Sequence, residues 1–443
     1  MKVLSVGGGA REHAIVKALL KSDVELYSVM KNRNPGIAKV SRDTLYEKET
    51  EVNKVAEWAK SKGVDFAIIG PEAPLGAGIV NTLEAAGIPS VGPTQKASQI
   101  EIDKRYLREL MARHNIPGNI QFSIFNDAQA AKKYIEDSGI GMVVKPIGLT
   151  GGKGVKIMGE HLLSMSDVVD YCNEIIENKI GGSSEFIIEE RMSGEELTLQ
   201  AFCDGKHVMP MPAVQDHKRA YEGDIGPNTG GMGSYSQEDG LLPFLTKEDY
   251  NNCVDIMQKI LDAMVKEGTP YKGVLYGQFI LTKAGPKALE CNARFGDPEA
   301  MNVLPLLTSD FTDICHGIID GNLSTRKATF ENKATVCKYV VPMGYGVESQ
   351  VGEKVHVEEE QITKSGAELF YASVNEKDGQ IYTTTSRSLA VVGINENIFA
   401  AEKIAEQALS HIKGNVFMRH DIGKKELIDK RIEHMKKLKG EKE

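Results

Sequence analysis

The first hundred residues alternate between two hydrophobic rhythms. Short apolar runs at 2–6, 25–29 and 65–69 read as strands, and stretches of helical period at 12–20, 52–62 and 77–86 read as helices. Repeated strand–helix–strand units make a parallel sheet, because parallel neighbours need a crossover long enough to hold a helix. The turns fall where such sheets bind ligands. Gly7-Gly8-Gly9 follows the first strand, Gly70-Pro71-Glu72 the third, and Gly92-Pro93-Thr94 the apolar run at 88–91.

This rhythm stops near residue 103. Asp103 is a suitable N-cap for a helix ended by Pro117. Short strands at 142–145, 186–190, 197–203, 275–282 and 287–292 then mix with helices at 166–178 and 247–266, an α+β texture. After about residue 330 come further strands and a helix at 398–412. The expected organisation is α/β and α+β multidomain: a parallel α/β domain over 1–103, a central α+β domain over 104–329 and a small α+β domain over 330–443. The chain has 443 residues, and ~100–200 residues per domain gives about three. The charged tail from Lys424 carries a helical stripe of Ile428, Ile432 and Met435 and reads as a solvated terminal helix.

Charge and composition narrow the function. Lys and Arg total 53 against 62 Asp and Glu, a formal charge of −9, which disfavours nonspecific attraction to nucleic acid or anionic membrane. An anionic ligand must therefore find a local cluster of cations. The chain has no apolar run long enough to span a bilayer and no secretory signal, so a cytoplasmic protein is expected. The six cysteines form no Cys-x-x-Cys pair and read as reduced, buried hydrophobes.

Five segments carry chemistry. The opening VGGGAREH invites a dinucleotide reading, but Glu12 stands where the third glycine belongs and Met30-Lys31 where a ribose-binding acid is wanted. A phosphate or sugar contact, or a purely structural turn, remains; Arg11 and His13 would suit a phosphorylated ligand. In VVKPIGLTGGKGV (143–155), strand residue Lys145 precedes Gly148, Gly151, Gly152, Lys153 and Gly154, and a strand follows rather than the helix of a Walker A loop. Free backbone N–H groups and two lysines make a phosphate-covering flap. In IIEERMSGEEL (187–197), an acidic pair beside a turn reads on its own as solvated surface; placed after a phosphate loop it gains a second reading, in which backbone around Arg191 and Met192 pairs with an adenine edge and Glu195 or Glu196 accepts ribose hydroxyls.

In ALECNARFGDPEA (288–300), Glu290 and Asn292 are two apart on a strand and share a face, offering the oxygen ligands that magnesium takes beside nucleotide phosphates. A three-residue loop at 283–285 would put Gln278 opposite Glu290; a loop of two or four would turn it away. The fifth segment, QDHKRAYEGDIGPNTGGMGSYS (215–236), brings Asp216, His217, Lys218 and Arg219 to one turn and suits a zwitterionic or phosphorylated small substrate. For His217 a structural and a catalytic role stand equally open.

Together GGGAREH (7–13), GPEAPL (70–75), KPIGLTGGKGV (145–155), QDHKR (215–219), GPNTGGMGSYS (226–236), CNARFGDPE (291–299) and RHDIG (419–423) resemble the glycinamide ribonucleotide synthetases, ATP-grasp enzymes of purine biosynthesis. The resemblance runs nearly the whole chain. It implies a central ATP-grasp domain with a mobile lid at about 122–194. It also implies ATP-dependent ligation of glycine to 5-phosphoribosylamine through a glycyl phosphate, with Mg²⁺ or Mn²⁺, and a monomer or weak homodimer with neither nucleic-acid nor membrane partner.

Residue by residue, the resemblance implies that Lys104 and Lys145 bind ATP phosphates under the 148–156 loop, with Gly151, Gly152, Lys153 and Gly154. Glu189, Glu190 and Met192 hold adenine, with Glu196 beside them, and Glu290 and Asn292 bind the metal, with Gln278 a third candidate ligand if the hairpin register faces it toward them. Arg294, Lys145 and Asp216 are the catalytic candidates. Gly8, Gly9, Glu72, Asp216, Lys218, Asn228, Thr229, Arg294 and Asp297 are the substrate-binding candidates. Two departures stand out: Thr385-Ser386 precede Arg387 where a glycine pair is common, so that arginine receives no role, and Ala10 replaces a frequent glycine. The rival readings are a sister ATP-grasp ligase with another acyl donor, a dehydrogenase and a noncatalytic nucleotide-binding relative; the presence of Glu290 argues against the last.

Overall fold

The computed structural model describes residues 1–139, 141–148 and 154–440. It begins with a five-stranded parallel sheet in the order Asp43–Leu45, Glu25–Val29, Lys2–Val6, Phe66–Ile69, Ser90–Val91. Lys2–Val6 and Phe66–Ile69 are buried almost throughout, as central strands of helix-covered parallel sheets are. Helices Ala10–Leu19 and Val52–Lys62 stand where the sequence placed them. The expected helix at 77–86 is instead two, Glu72–Gly76 and Ile79–Ala85, divided at Gly78 with its φ of +85°.

Residues 122–190 make a second unit. Phe122–Phe125, Phe186–Glu190, Met142–Pro146 and Lys156–Ile157 form an antiparallel sheet in that order, and Ala128–Ser138 and Met165–Asn178 pack beside it. Ile135, Val144, Tyr171, Ile175, Phe186 and Ile188 belong to a hydrophobic cluster separate from the large core of the molecule. A unit with its own core can move as a body, which suits a lid.

Another four-stranded antiparallel sheet is ordered Val208–Pro210, Glu195–Asp204, Lys272–Thr282, Gly285–Asn292. Its last hairpin turns through Lys283 and Ala284, a two-residue loop that alone would face Gln278 away from Glu290. A bulge at Leu289 shifts the register by one residue, so Gln278 does oppose Glu290. The expected pairing is present, produced by a bulge instead of a longer loop.

The third sheet takes strands from both sides of residue 330. Gly233–Ser236, from the glycine-rich segment, pairs with Ala334–Pro342, which also pairs with Leu389–Asn395 and Val416–Met418. The charged tail forms helix Lys425–Lys439. It is not the solvated helix expected from its charge density: Leu427, Ile428 and Met435 are buried, and Arg431 and His434 pair with Glu195 of the central sheet.

Gly233 permits the sheet that seats the glycine-rich segment. It has φ +149°, and a Cβ there would lie 2.2 Å from the carbonyl oxygen of Cys337, a backbone atom that cannot swing aside. Gly233→Ala is expected to destabilise the protein by about 1–3 kcal/mol in urea unfolding; an unchanged midpoint would show that the sheet yields without cost.

Candidate active site

Arg108, on helix Lys104–Arg113, is 1% exposed and has three partners. Its Nε donates to Glu189 Oε1 at 2.6 Å, and its two terminal nitrogens donate to the carbonyls of Ala288 and Leu289 at 2.8 and 2.7 Å. These carbonyls flank the bulge that aligns Gln278 with Glu290. The other oxygen of Glu189 meets Lys145 Nζ at 2.6 Å. Glu189 is thus spent on two cations, and its side chain acts as a support for Lys145. Burial would raise its carboxyl, but the Arg108 and Lys145 charges prevail and hold it at about 2.

Lys104 reaches the same place, its Nζ donating to Gly148 O at 2.6 Å. Burial draws its pKa down, with the Lys145 charge acting in the same sense and Glu290 opposing. Glu290 is the focus of these cations. Burial pushes its carboxyl up, yet Lys218, Lys145, Lys104 and Arg294 together draw it below the usual value. Its closest recorded side-chain bond is a long one, 3.5 Å from Asn292 Nδ2. Glu290, Asn292 and Gln278 therefore offer three oxygens on one patch, with the Gln278 amide nitrogen donating to Glu196. Among the described residues, no group of three or more His, Cys, Asp or Glu could hold a metal unaided. The donor set fits a hard divalent cation completed by phosphate and water.

Asp216 and Lys218 approach from the glycine-rich segment. Lys218 Nζ is 3.3 Å from Glu196; burial would lower its pKa, and Glu196, Glu290 and Asp216 raise it instead. The Oδ1 of Asp216 is buried without a partner, and burial together with Glu299 raises its carboxyl well above the usual range. The Thr229 hydroxyl and N–H both donate to Lys218 O, at 2.8 Å each, and so close the loop. Asn228 ends the strand Ile225–Asn228 opposite Arg219. His217 is 2% exposed, with Nδ1 3.3 Å from Asp224 and Nε2 buried without a partner.

A cavity of about 220 Å³ opens between the first domain and the C-terminal sheet. Gly8, Gly9, Arg11, Lys31, Asp297 and Arg387 are among its lining residues. Arg387, which received no role from the sequence, donates to the carbonyls of Gly230, Gly231 and Asp297 and pairs with the Asp297 carboxylate at 3.1 Å. The lack of a glycine pair before the arginine concealed it; only the fold brings residue 387 beside residue 8. The Gly8 turn also shows why a dinucleotide does not fit. Glu12 occupies the turn, its carboxylate accepting from Gly9 N at 2.7 Å and from Arg11 Nε at 2.6 Å.

Two expectations are corrected by geometry. His13 does not face a ligand: it is 6% exposed, its Nδ1 accepts from Tyr371 N at 2.9 Å, and burial lowers its pKa to about 3. Glu195 is taken by Arg431 and His434, which leaves Glu196 as the carboxylate facing the site. Glu190 ends the strand Phe186–Glu190, its N donating to Gln121 O at 3.0 Å, and Met192 follows two residues later. Arg294 bridges domains, 2.9 Å from Glu101 and 3.4 Å from Glu72. Gly154 O accepts from the Tyr171 hydroxyl at 2.7 Å. Gly151, Gly152 and Lys153 lie outside the described residues.

The Glu189 support has a pH signature. Its folded pKa of about 2 lies below the ordinary 4.5, so the unfolded chain binds more protons between those values. The stability it adds is complete above the ordinary pKa and is lost as pH falls toward the folded one. In urea unfolding, the part of the stability gap between wild type and Glu189→Gln that comes from this pairing is expected to be about half as large at about pH 3 as at about pH 7. A gap independent of pH would contradict the pairing.

Family comparison agrees with this geometry. Residues 1–101 match the N domain of phosphoribosylglycinamide synthetase, residues 102–300 its ATP-grasp (A) domain and residues 335–425 its C domain. The chain is 54% identical over 440 residues to the phosphoribosylamine–glycine ligase of Methanothermobacter thermautotrophicus, covering 99% of this chain and 100% of that protein. It is 51% identical over 442 residues to that of Pyrococcus furiosus, covering 100% and 98%. The crystal structure of the Thermotoga maritima phosphoribosylamine–glycine ligase aligns with TM-score 0.79 at 25% identity, over 95% of this chain and 100% of that one. The chain belongs to the phosphoribosylglycinamide synthetase family.

Proposed function

We propose that the protein ligates glycine to 5-phosphoribosylamine with ATP, giving glycinamide ribonucleotide, ADP and phosphate in purine biosynthesis. The observation that carries the reading is the meeting of Lys145, Lys104 and Lys218 around Glu290, beneath a lid that has its own core. A triphosphate tail answers three lysines, and Glu290 with Asn292 and Gln278 would hold Mg²⁺ or Mn²⁺ against it. When bound, that cation neutralises phosphate charge.

In the first step a glycine carboxylate oxygen attacks the γ-phosphorus, the β–γ bridging bond breaks, and ADP leaves. In the second the phosphoribosylamine nitrogen attacks the acyl carbon, phosphate leaves with the C–O electron pair, and the amine loses a proton. Neither step needs a protein nucleophile; alignment and charge stabilisation supply the catalysis. Lys145, fixed by Glu189, and Lys104 hold the phosphates. Arg294, one of the cations acting on Glu290, stabilises the acyl phosphate. Asp216, with its unpartnered oxygen, receives the glycine ammonium beside Lys218.

Backbone of 189–192 lines the adenine, because the Glu189 side chain is committed elsewhere, and Glu196 takes the ribose. The cavity at Gly8, Gly9, Arg11 and Arg387 receives the ribosyl phosphate, with Asp297 and Glu72 fixing the cations around it. Closure of the lid over 122–194 keeps water from the acyl phosphate. The parts would then act as three units, 1–103, 104–329 and 330–443. Among the described residues no helix is long and apolar enough to cross a membrane, in keeping with a cytoplasmic enzyme on small-molecule substrates.

ADP release is expected to require glycine, phosphoribosylamine and a divalent cation together; release that persists without glycine would overturn the reading, and dependence on formate or bicarbonate would select a sister ligase. Glu290→Ala is expected to lower turnover by roughly 10²–10³ with an unchanged melting profile. Wild-type turnover in that variant would remove Glu290 from the metal site.

A further inference from the structure

We infer that Arg431, on the C-terminal helix Lys425–Lys439, is a positioning residue that sets the spacing between the two edges of the active site carrying Glu196 and Lys218. Successive side chains of an extended segment point to opposite sides. At the start of strand Glu195–Asp204, Glu196 turns toward the site and contacts Lys218 and Gln278. Glu195 turns away from it and is 3% exposed. On the facing segment Lys218 turns toward the site, and His217 turns away to Asp224. The same two segments thus face each other twice, through Glu196 and Lys218 in front and through Glu195 and the His217–Asp224 pair behind.

Behind, the facing groups are two carboxylates, and Arg431 stands between them. Its Nη1 lies 3.1 Å from Glu195 Oε2, and its Nη2 bonds Asp224 Oδ2. His434 takes the remaining oxygen of Glu195, and Arg419 takes that of Asp224 at 2.9 Å. Asp224 has φ +60°, a left-handed conformation for a residue other than glycine, so ion pairs hold a turn that backbone preference alone would not. Buried Leu427, Ile428 and Met435 seat the helix that delivers the guanidinium. After its first residue this helix lies beyond the matched residues 335–425.

Removing the guanidinium leaves Glu195 and Asp224 opposed and undercompensated, and the two edges separate. The groups that shift are Glu196, Asp216 and Lys218, whereas the cavity residues Gly8, Arg11 and Arg387 sit on other elements and meet this segment at the carbonyls of Gly230 and Gly231. The inference rests on the proposed roles of Glu196, Asp216 and Lys218 toward nucleotide and glycine.

The test compares full-length wild type, Arg431→Gln and Arg431→Lys, each checked by thermal melting, with kcat and KM measured for each substrate in turn. Arg431→Gln is expected to lower kcat/KM for ATP and for glycine by about tenfold or more while KM for phosphoribosylamine stays within about twofold. Arg431→Lys keeps the charge but not the fork that serves two carboxylates, and falls between. Unchanged constants in folded Arg431→Gln, or an equal loss for all three substrates, would overturn the proposal. If Arg431→Gln does not fold, the same split in Arg431→Lys decides. Wild type in the same assay separates the two readings: glycine-independent ADP release overturns the enzyme's proposed function, whereas normal wild-type behaviour without the split overturns only the role of Arg431.

Discussion

Arg108 joins three separate pieces of chain through one buried guanidinium. It fixes Glu189 on the lid, and through Glu189 it fixes Lys145; it also caps the carbonyls of Ala288 and Leu289 at the bulge that faces Gln278 toward Glu290. Charge-assisted bonds in a site closed to water are strong and directional. A buried cation that lost one of these partners would carry a large desolvation cost. Lys145 and the patch of Gln278, Glu290 and Asn292 are therefore held in register by the same side chain, although they arise about 140 residues apart.

The lid attaches to the rest of the molecule mainly by polar contacts. Its core is its own, and its links to the body include Glu189 to Arg108, Glu185 to Arg105 at 3.0 Å and Glu160 to Arg219 at 3.0 Å. Ion pairs toward solvent exchange readily with water, so the outer links hold less firmly than the buried Glu189 pairing. The C-terminal helix serves the opposite purpose, binding Glu195 and Asp224 so that the floor of the site keeps its shape.

Much of this was legible in the sequence. The parallel first sheet followed from its rhythm, and Glu290 and Asn292 followed from a spacing of two on a strand. The motifs, taken in order, pointed to the family. What escaped were relations between distant residues. Arg108 looked like one more cation on an amphipathic helix, and nothing local tells that its partners are Glu189 and two carbonyls near residue 288. Asp43–Leu45 is too short to show a period. Arg387 was set aside for want of neighbouring glycines, yet the third sheet carries it to the cavity. The tail was misjudged because charge density signals solvent only where no opposite charge is buried nearby, and Glu195 and Asp224 are such charges.

The central claim is that Lys104 and Lys145 on one side and Glu290 and Asn292 on the other enclose a single triphosphate. A crystal structure with a nonhydrolysable ATP analogue and Mg²⁺ tests it most directly. The β- and γ-phosphates are expected between those two groups, with the cation on Glu290 and the Arg108–Glu189–Lys145 chain intact. Phosphates bound elsewhere, or a Lys145 that has left Glu189 to turn away from the nucleotide, would contradict it.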